Sequence, residues 1–79
     1  MKEVGIEMTI EEKIAMLEEL MDVDEGSLEL DSVLEDFEEW DSLSKLSLIA
    51  EAKKKFGLML KTETIRGFVT VKDICDYLN

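Results

Sequence analysis

Histidine is missing from this 79-residue chain, and with it the commonest general base near neutral pH and the commonest zinc ligand. Proline is missing too, and glycine occurs only 4 times. Such a shortage of turn residues argues against a turn-rich β fold and for helices joined by polar loops. The single cysteine, Cys75, has no partner for an internal disulfide, which fits a reducing, cytoplasmic setting. No apolar run approaches the ~20 residues of a membrane span, and the first residues carry no apolar core of a secretory signal, so no membrane insertion is expected. Basic residues are few, 9 against 20 acids, for a net charge of −11. That field repels phosphate backbones and anionic lipid, which argues against nucleic acid and membrane surfaces as partners. It suits proteins with basic docking patches.

Apolar residues make up 46 % of the chain and charged residues 37 %, a folded composition. The length allows one domain over residues 1–79, expected as a monomer. A first helix is predicted from about Thr9 to Asp22. Thr9 and Glu12 have the spacing of a capping box, and Ile10, Ile14, Leu17 and Met21, widened by Met16 and Leu20, mark its buried stripe. A long connection follows, from about Val23 to Trp40. Twelve acids and no base fall between Ile14 and Ser44; most of those acids read as solvated, whereas Leu28, Leu30, Val33, Leu34 and Phe37 read as anchors onto a helical core. The five methionines read as core filler.

A second helix is predicted from about Ser42 to Phe56, with Asp41 as N-cap. Leu46, Ile49, Lys53 and Phe56 trace one stripe, and Leu48 with Ala52 another. Gly57 stands at its C-terminal end after Lys53, Lys54 and Lys55. Leu58, Met59 and Leu60 re-enter the core as a short extended piece. A helical turn is predicted over about Thr64 to Gly67 with Ile65 inward. A last helix starts at Thr70, capped with Asp73, and buries Val71, Ile74, Cys75 and Leu78. The expected fold is therefore all-α: a small antiparallel bundle of three main helices plus one short helix, with a long first loop. Cys75 is expected to be a buried, inert thiol.

Chemistry concentrates at Asp41-Ser42-Leu43, where the long loop meets the second helix. A serine at a helix N-terminus is exposed beside free backbone N–H groups, a position that favours a phosphate ester. Asp41 caps the helix and can help a modifying enzyme hold Mg²⁺ or orient the hydroxyl, and Leu43 offers an apolar contact beside it. Trp40 packs the loop on the helix. Ser44 and Ser47 lack the flanking motif and read as helix-surface residues. An EF-hand register starting at Asp22 puts Gly26 at the fifth position instead of the sixth and Val33 where a bidentate glutamate is required, so no metal site is expected.

Trp40-Asp41-Ser42-Leu43, followed by Leu46, Leu48, Ile49, Ala52, Phe56 and Gly57, resembles the acyl carrier protein family with its peptidyl carrier relatives. Ser32 to Phe37 upstream and Thr70 to Leu78 at the end extend the resemblance over about Ile10 to Leu78. The resemblance implies that Ser42 accepts 4′-phosphopantetheine from coenzyme A, with Asp41 and Leu43 beside it. The arm would carry acyl or aminoacyl thioesters between enzymes of a fatty-acid, polyketide or other specialised pathway. It also implies a phosphopantetheinyl transferase and loading and processing enzymes as partners, met by Leu43, Leu46, Ala50 and Lys54. The protein itself would not be an enzyme. Glu39 stands where the family often has glycine, Trp40 precedes the motif, and lysines replace the usual acids late in the second helix, which points to a dedicated carrier. The alternative is a non-covalent acidic helical interaction module.

Overall fold

The computed structural model describes residues 9–78. Four α-helices follow in order: α1 Ile10–Met21, α2 Ser42–Glu51, α3 Thr62–Arg66 and α4 Val71–Tyr77. The described residues contain no strand, and α1 packs on both α2 and α4. Leu17, Leu34, Leu48, Ile65, Val71, Ile74 and Leu78 make the centre of the core. Burial of such side chains, about 1.5–3 kcal/mol each, is what holds so small a fold together.

The termini of α1 are set by local hydrogen bonds. The Thr9 hydroxyl accepts from Glu12 N–H at 3.1 Å and the Glu12 carboxylate accepts from Thr9 N–H at 2.9 Å, a complete capping box. Asp22 ends the helix in the left-handed conformation, φ 58°, a position that aspartate tolerates better than most residues. The expected α1 stripe packs on the core through Ile14, Met16, Leu17, Leu20 and Met21 and fails only at Ile10. Met16, Leu17 and Met21 are buried, but Ile10, in the first turn, is 50 % exposed, because the core lies beneath the later turns.

Two charged residues on α1 are buried instead. Lys13 donates from Nζ to the Cys75 carbonyl of α4 at 3.2 Å. Glu18, one of the acids read as solvated, accepts through Oε2 from Gly26 N–H at 2.8 Å and from Leu28 N–H at 3.1 Å. Its own carbonyl accepts from Val23 N–H. Glu18 thus closes α1 and holds the start of the loop.

The loop is tied a second time by backbone alone. Val33 pairs with Thr70 in an isolated antiparallel bridge, and Leu34 N–H donates to Val69 O, Val71 N–H to Ser32 O and Lys72 N–H to Leu30 O. Leu28 and Leu34 anchor it by side chain as expected, with Leu30 and Phe37 half-buried. Val33 does not: its side chain is exposed, because the bridge uses its backbone and turns the side chain outward. A short 3₁₀ turn, Leu34–Asp36, completes the loop.

The second helix runs to Phe56 as expected, but its last part, Ala52–Phe56, is a π turn, in which each N–H reaches one residue further back than in an α-helix. Gly57, φ 68°, ends it in a left-handed conformation that glycine alone adopts freely. Leu48 and Ala52 are the core face. Leu46 lies about 200° round the helix from Leu48 and is exposed, and Lys53 is exposed instead of turned inward. Met59 is exposed between the more buried Leu58 and Leu60, so the methionines are core filler only at Met16 and Met21; Met1 and Met8 lie outside the described residues. The short helix starts two residues before the predicted turn and buries Ile65.

The last helix begins at a second capping box. The Asp73 carboxylate accepts from Val69 and Thr70 N–H groups at 2.9 and 3.1 Å. Those bonds hold its acid below the ordinary carboxylate range, so their support is present at neutral pH and fades as acid protonates Asp73. Burial pushes the Cys75 thiol up, opposed in part by Lys13, which leaves it protonated and unreactive at neutral pH.

Glu18→Ala removes the acceptor for two loop N–H groups, that of buried Leu28 among them. It should lower stability by about 1.5–3 kcal/mol, read from urea or thermal melts. Glu18→Gln, which keeps an acceptor oxygen, should lose less. Equal and negligible losses would show that the loop is held without Glu18.

Candidate functional site

Ser42 is the first residue of α2, and its position follows from how the helix begins. Asp41, in extended conformation, accepts from Ser44 N–H through Oδ1 at 3.0 Å, the bond expected of an N-cap aspartate. Trp40 is buried beside it, and its backbone N–H donates to the Phe37 carbonyl. Lys45 Nζ sits 5.8 Å from the centre of the Trp40 ring, within cation–π range. Loop and helix are therefore locked together one residue before the serine.

The serines of the motif region differ in environment. Ser42 is exposed and its hydroxyl makes no hydrogen bond to any described residue. Ser44, read from sequence as a surface residue, is buried, and its hydroxyl donates to the Glu39 carbonyl at 2.5 Å. The reason is the N-cap: Asp41 turns the chain so that the third helical residue faces back under the loop. Ser47 is exposed as expected.

A phosphate ester fits Ser42 on three observations. The hydroxyl is reachable. The N–H groups of Ser42 and Leu43 lie in the first turn, where no helical carbonyl precedes them, and there they can serve an anionic oxygen. A groove of about 320 Å³ opens beside the serine between α2 and α3, floored by Leu46, Ile49 and Ile65 and edged by Lys45, Thr62 and Arg66. Lys45, Thr62 and Arg66 were not singled out from sequence. Lys45 was within reach of a sequence argument, being three residues after Ser42 on one helix. Thr62 and Arg66 are brought there only by tertiary folding.

The residues expected to meet partners are on the surface. Leu43 is 74 % exposed and Leu46 62 %. Ala50, Lys53 and Lys54 are exposed as well, whereas Lys55 is half-buried and pairs with Glu51 at 3.1 Å. Along α2, Leu43, Leu46, Ala50 and Lys54 recur at helical spacing on the side away from Leu48. Among the described residues no helix is long and apolar enough to cross a membrane, and no cluster of His, Cys, Asp and Glu is arranged to hold a metal ion.

Residues 14–78 match the family described as the phosphopantetheine attachment site. An acyl carrier protein of Tropheryma whipplei is 30 % identical over 56 residues, which covers 71 % of this chain and 68 % of the relative. One from Renibacterium salmoninarum is 31 % identical over 72 residues, covering 86 % and 89 %. No solved structure matches.

The two serines give opposite tests. Ser42→Ala should leave the midpoint of unfolding almost unchanged, since the hydroxyl has no partner among the described residues. Ser44→Ala should cost about 1 kcal/mol, the loss of one intramolecular hydrogen bond. Denaturant melts of both variants decide it, and a Ser42→Ala protein that unfolds readily would make that serine structural.

Proposed function

The chain belongs to the acyl carrier protein family, whose cofactor is phosphopantetheine and whose members carry substrates without catalysing reactions, and from that premise we propose that Ser42 is the residue that bears the arm. The observation that carries this is the contrast within α2: Ser42 alone combines exposure, an unbonded hydroxyl and a place in the first turn. Ser44 is buried and bonded, and Ser47 lies more than a turn inside the helix.

When bound, the group supplies a thiol on a flexible tether, which holds an acyl cargo as a thioester. The chain's own residues do the rest. Asp41 fixes the start of α2 and leaves a carboxylate next to the serine, where a phosphopantetheinyl transferase can use it to orient the hydroxyl or to help hold Mg²⁺. The first-turn N–H groups and the helix dipole favour the new phosphodiester. Tethering then gives each partner enzyme a high effective concentration of cargo.

The exposed stripe Leu43, Leu46, Ala50 and Lys54 is the proposed docking face for loading and processing enzymes. Its far end is basic, with Lys53 and Lys54 free to solvent, in a chain of net charge −11. Enzymes that read an acidic second helix through basic patches would meet like charge there. This favours a dedicated carrier in a specialised pathway, with acyl or aminoacyl cargo, over general fatty-acid synthesis.

Incubation with coenzyme A, Mg²⁺ and a broad-specificity transferase should add one arm, and peptide mapping should place it on Ser42. An arm on Ser44 or Ser47, or no arm, sinks the assignment. Lys53→Glu with Lys54→Glu should raise the rate at which a fatty-acid acyltransferase or ketosynthase uses the loaded carrier. Lys55 is left in place because its charge is already paired with Glu51. Efficient use of the unmodified carrier, or no gain on reversal, would show that the lysines do not discriminate.

A further inference from the structure

The groove beside Ser42 runs against the net charge of the chain. The chain has 20 acids and 9 bases, yet the groove is lined by two cations, Lys45 and Arg66, and by no carboxylate. Among the described residues neither cation forms an ion pair, unlike Lys55 with Glu51 and Lys72 with Asp76. What sets these two apart from the exposed Lys53 and Lys54 is that they line one hollow together, with Ser42 and without a carboxylate, so an anion placed there meets both.

The two come from opposite walls. Lys45 stands one turn after Ser42 on the same side of α2, and its ammonium is held near the start of that helix by the Trp40 ring. Arg66 is the last residue of α3. Its planar fork of donors suits a phosphate group, which it can bind through two parallel hydrogen bonds. The hollow is small: about 320 Å³ is at the low end for a ligand site. From Ser42 to Ile49 along α2 is roughly 10 Å. Ile49 and Ile65 give it an apolar floor, which suits the dimethyl-bearing part of a pantetheine chain.

We propose that Lys45 and Arg66 clamp, from α2 and α3, the phosphodiester that Ser42 carries, and so seat the first part of the arm in this groove. The proposal rests on Ser42 as the point of attachment. Ser42 lines the same groove as both cations, so an anion bonded to its oxygen enters the space that they share. Its single negative charge is shared between the two cations, and α3 is drawn onto α2. Loading becomes a change in the carrier's own structure as well as the addition of a tether, one that a processing enzyme can read on α3.

The test compares apo and loaded protein, wild type and Lys45→Gln with Arg66→Gln, at low ionic strength, with loading and its site confirmed by intact mass and peptide mapping before any other measurement. Thermal melts should show the wild type gaining roughly 2–6 °C on loading, the size expected of two exposed ion pairs in a domain of this length. The double variant should lose more than half of that increment. Lys45→Arg with Arg66→Lys should restore it, and added salt should shrink it. Amide shifts of Thr62, Ile65 and Arg66 should move on loading in the wild type and stay in place in the glutamine variant. Referencing each loaded protein to its own apo form removes any cost of losing the Lys45–Trp40 contact. Equal increments in the two proteins, or shifts confined to residues 41–44, overturn the clamp while leaving the attachment reading standing. Dependence on Lys45 and Arg66 that appears only after an anionic cargo is loaded also overturns it, because the cations would then be reading the cargo. If mapping finds no arm on Ser42, the attachment reading fails first and the clamp falls with it.

Discussion

A loop running from Val23 to Trp40, rich in acids, has to be held against a small bundle, and the rest of the molecule's arrangement depends on how that is done. Its own turns satisfy part of its backbone, as between Ser27 and Asp24 or Trp40 and Phe37, but they do not fix it to the helices. It is tied at two places. At its start the buried Glu18 carboxylate takes the N–H groups of Gly26 and Leu28. At its middle the backbone of residues 30–34 pairs with the entry to α4. With both ties made, Leu28 and Leu34 drop into the core and Trp40 closes the far end. The chain then reaches Asp41 in the extended conformation that an N-cap needs.

This makes α2 a boundary between two kinds of surface. Leu48 and Ala52 face inward and are fully buried, while Leu43, Leu46 and Ala50 stand in solvent. That exposed stripe is the face proposed above for docking. Ser42 and Ser44 divide in the same way: the first is left open to chemistry, and the second is spent on fastening the helix to the Glu39 carbonyl.

Charge is distributed with similar economy. Four lysines and a single acid, Glu51, fall between residues 42 and 56, so the segment that carries the serine is locally basic inside a strongly acidic protein. Lys55 answers Glu51, Lys53 and Lys54 face solvent, and Lys45 lies by Trp40 over the α2–α3 groove. The acidic loop and the basic helix meet at Ser42. A partner that docks at the proposed site meets both signs within a short distance, which is a route to selectivity without extra contact area.

Much of this was legible in the residues themselves. Capping boxes at Thr9 and Thr70, the N-cap at Asp41, the terminating Gly57 and the buried stripe of α4 are local, decided by hydrogen bonds and periodicity within a few positions, so sequence alone determined them. The Asp41-Ser42-Leu43 motif, with its family resemblance, likewise named the carrier role before any fold was known. Only the tertiary structure decided the rest. Glu18 reads as one more solvated acid until the loop folds back over it. Val33 reads as an apolar anchor until its backbone pairs with Thr70 and turns the side chain out. Ser44 reads as a surface serine until the Glu39 carbonyl comes within reach. Arg66 has nothing near it in sequence to tie it to Ser42; α3 carries it there. In each case the deciding partner lies on another segment of the chain, or beyond a turn that the periodicity does not cross, and a hydrogen bond or a groove between segments leaves no period in the sequence.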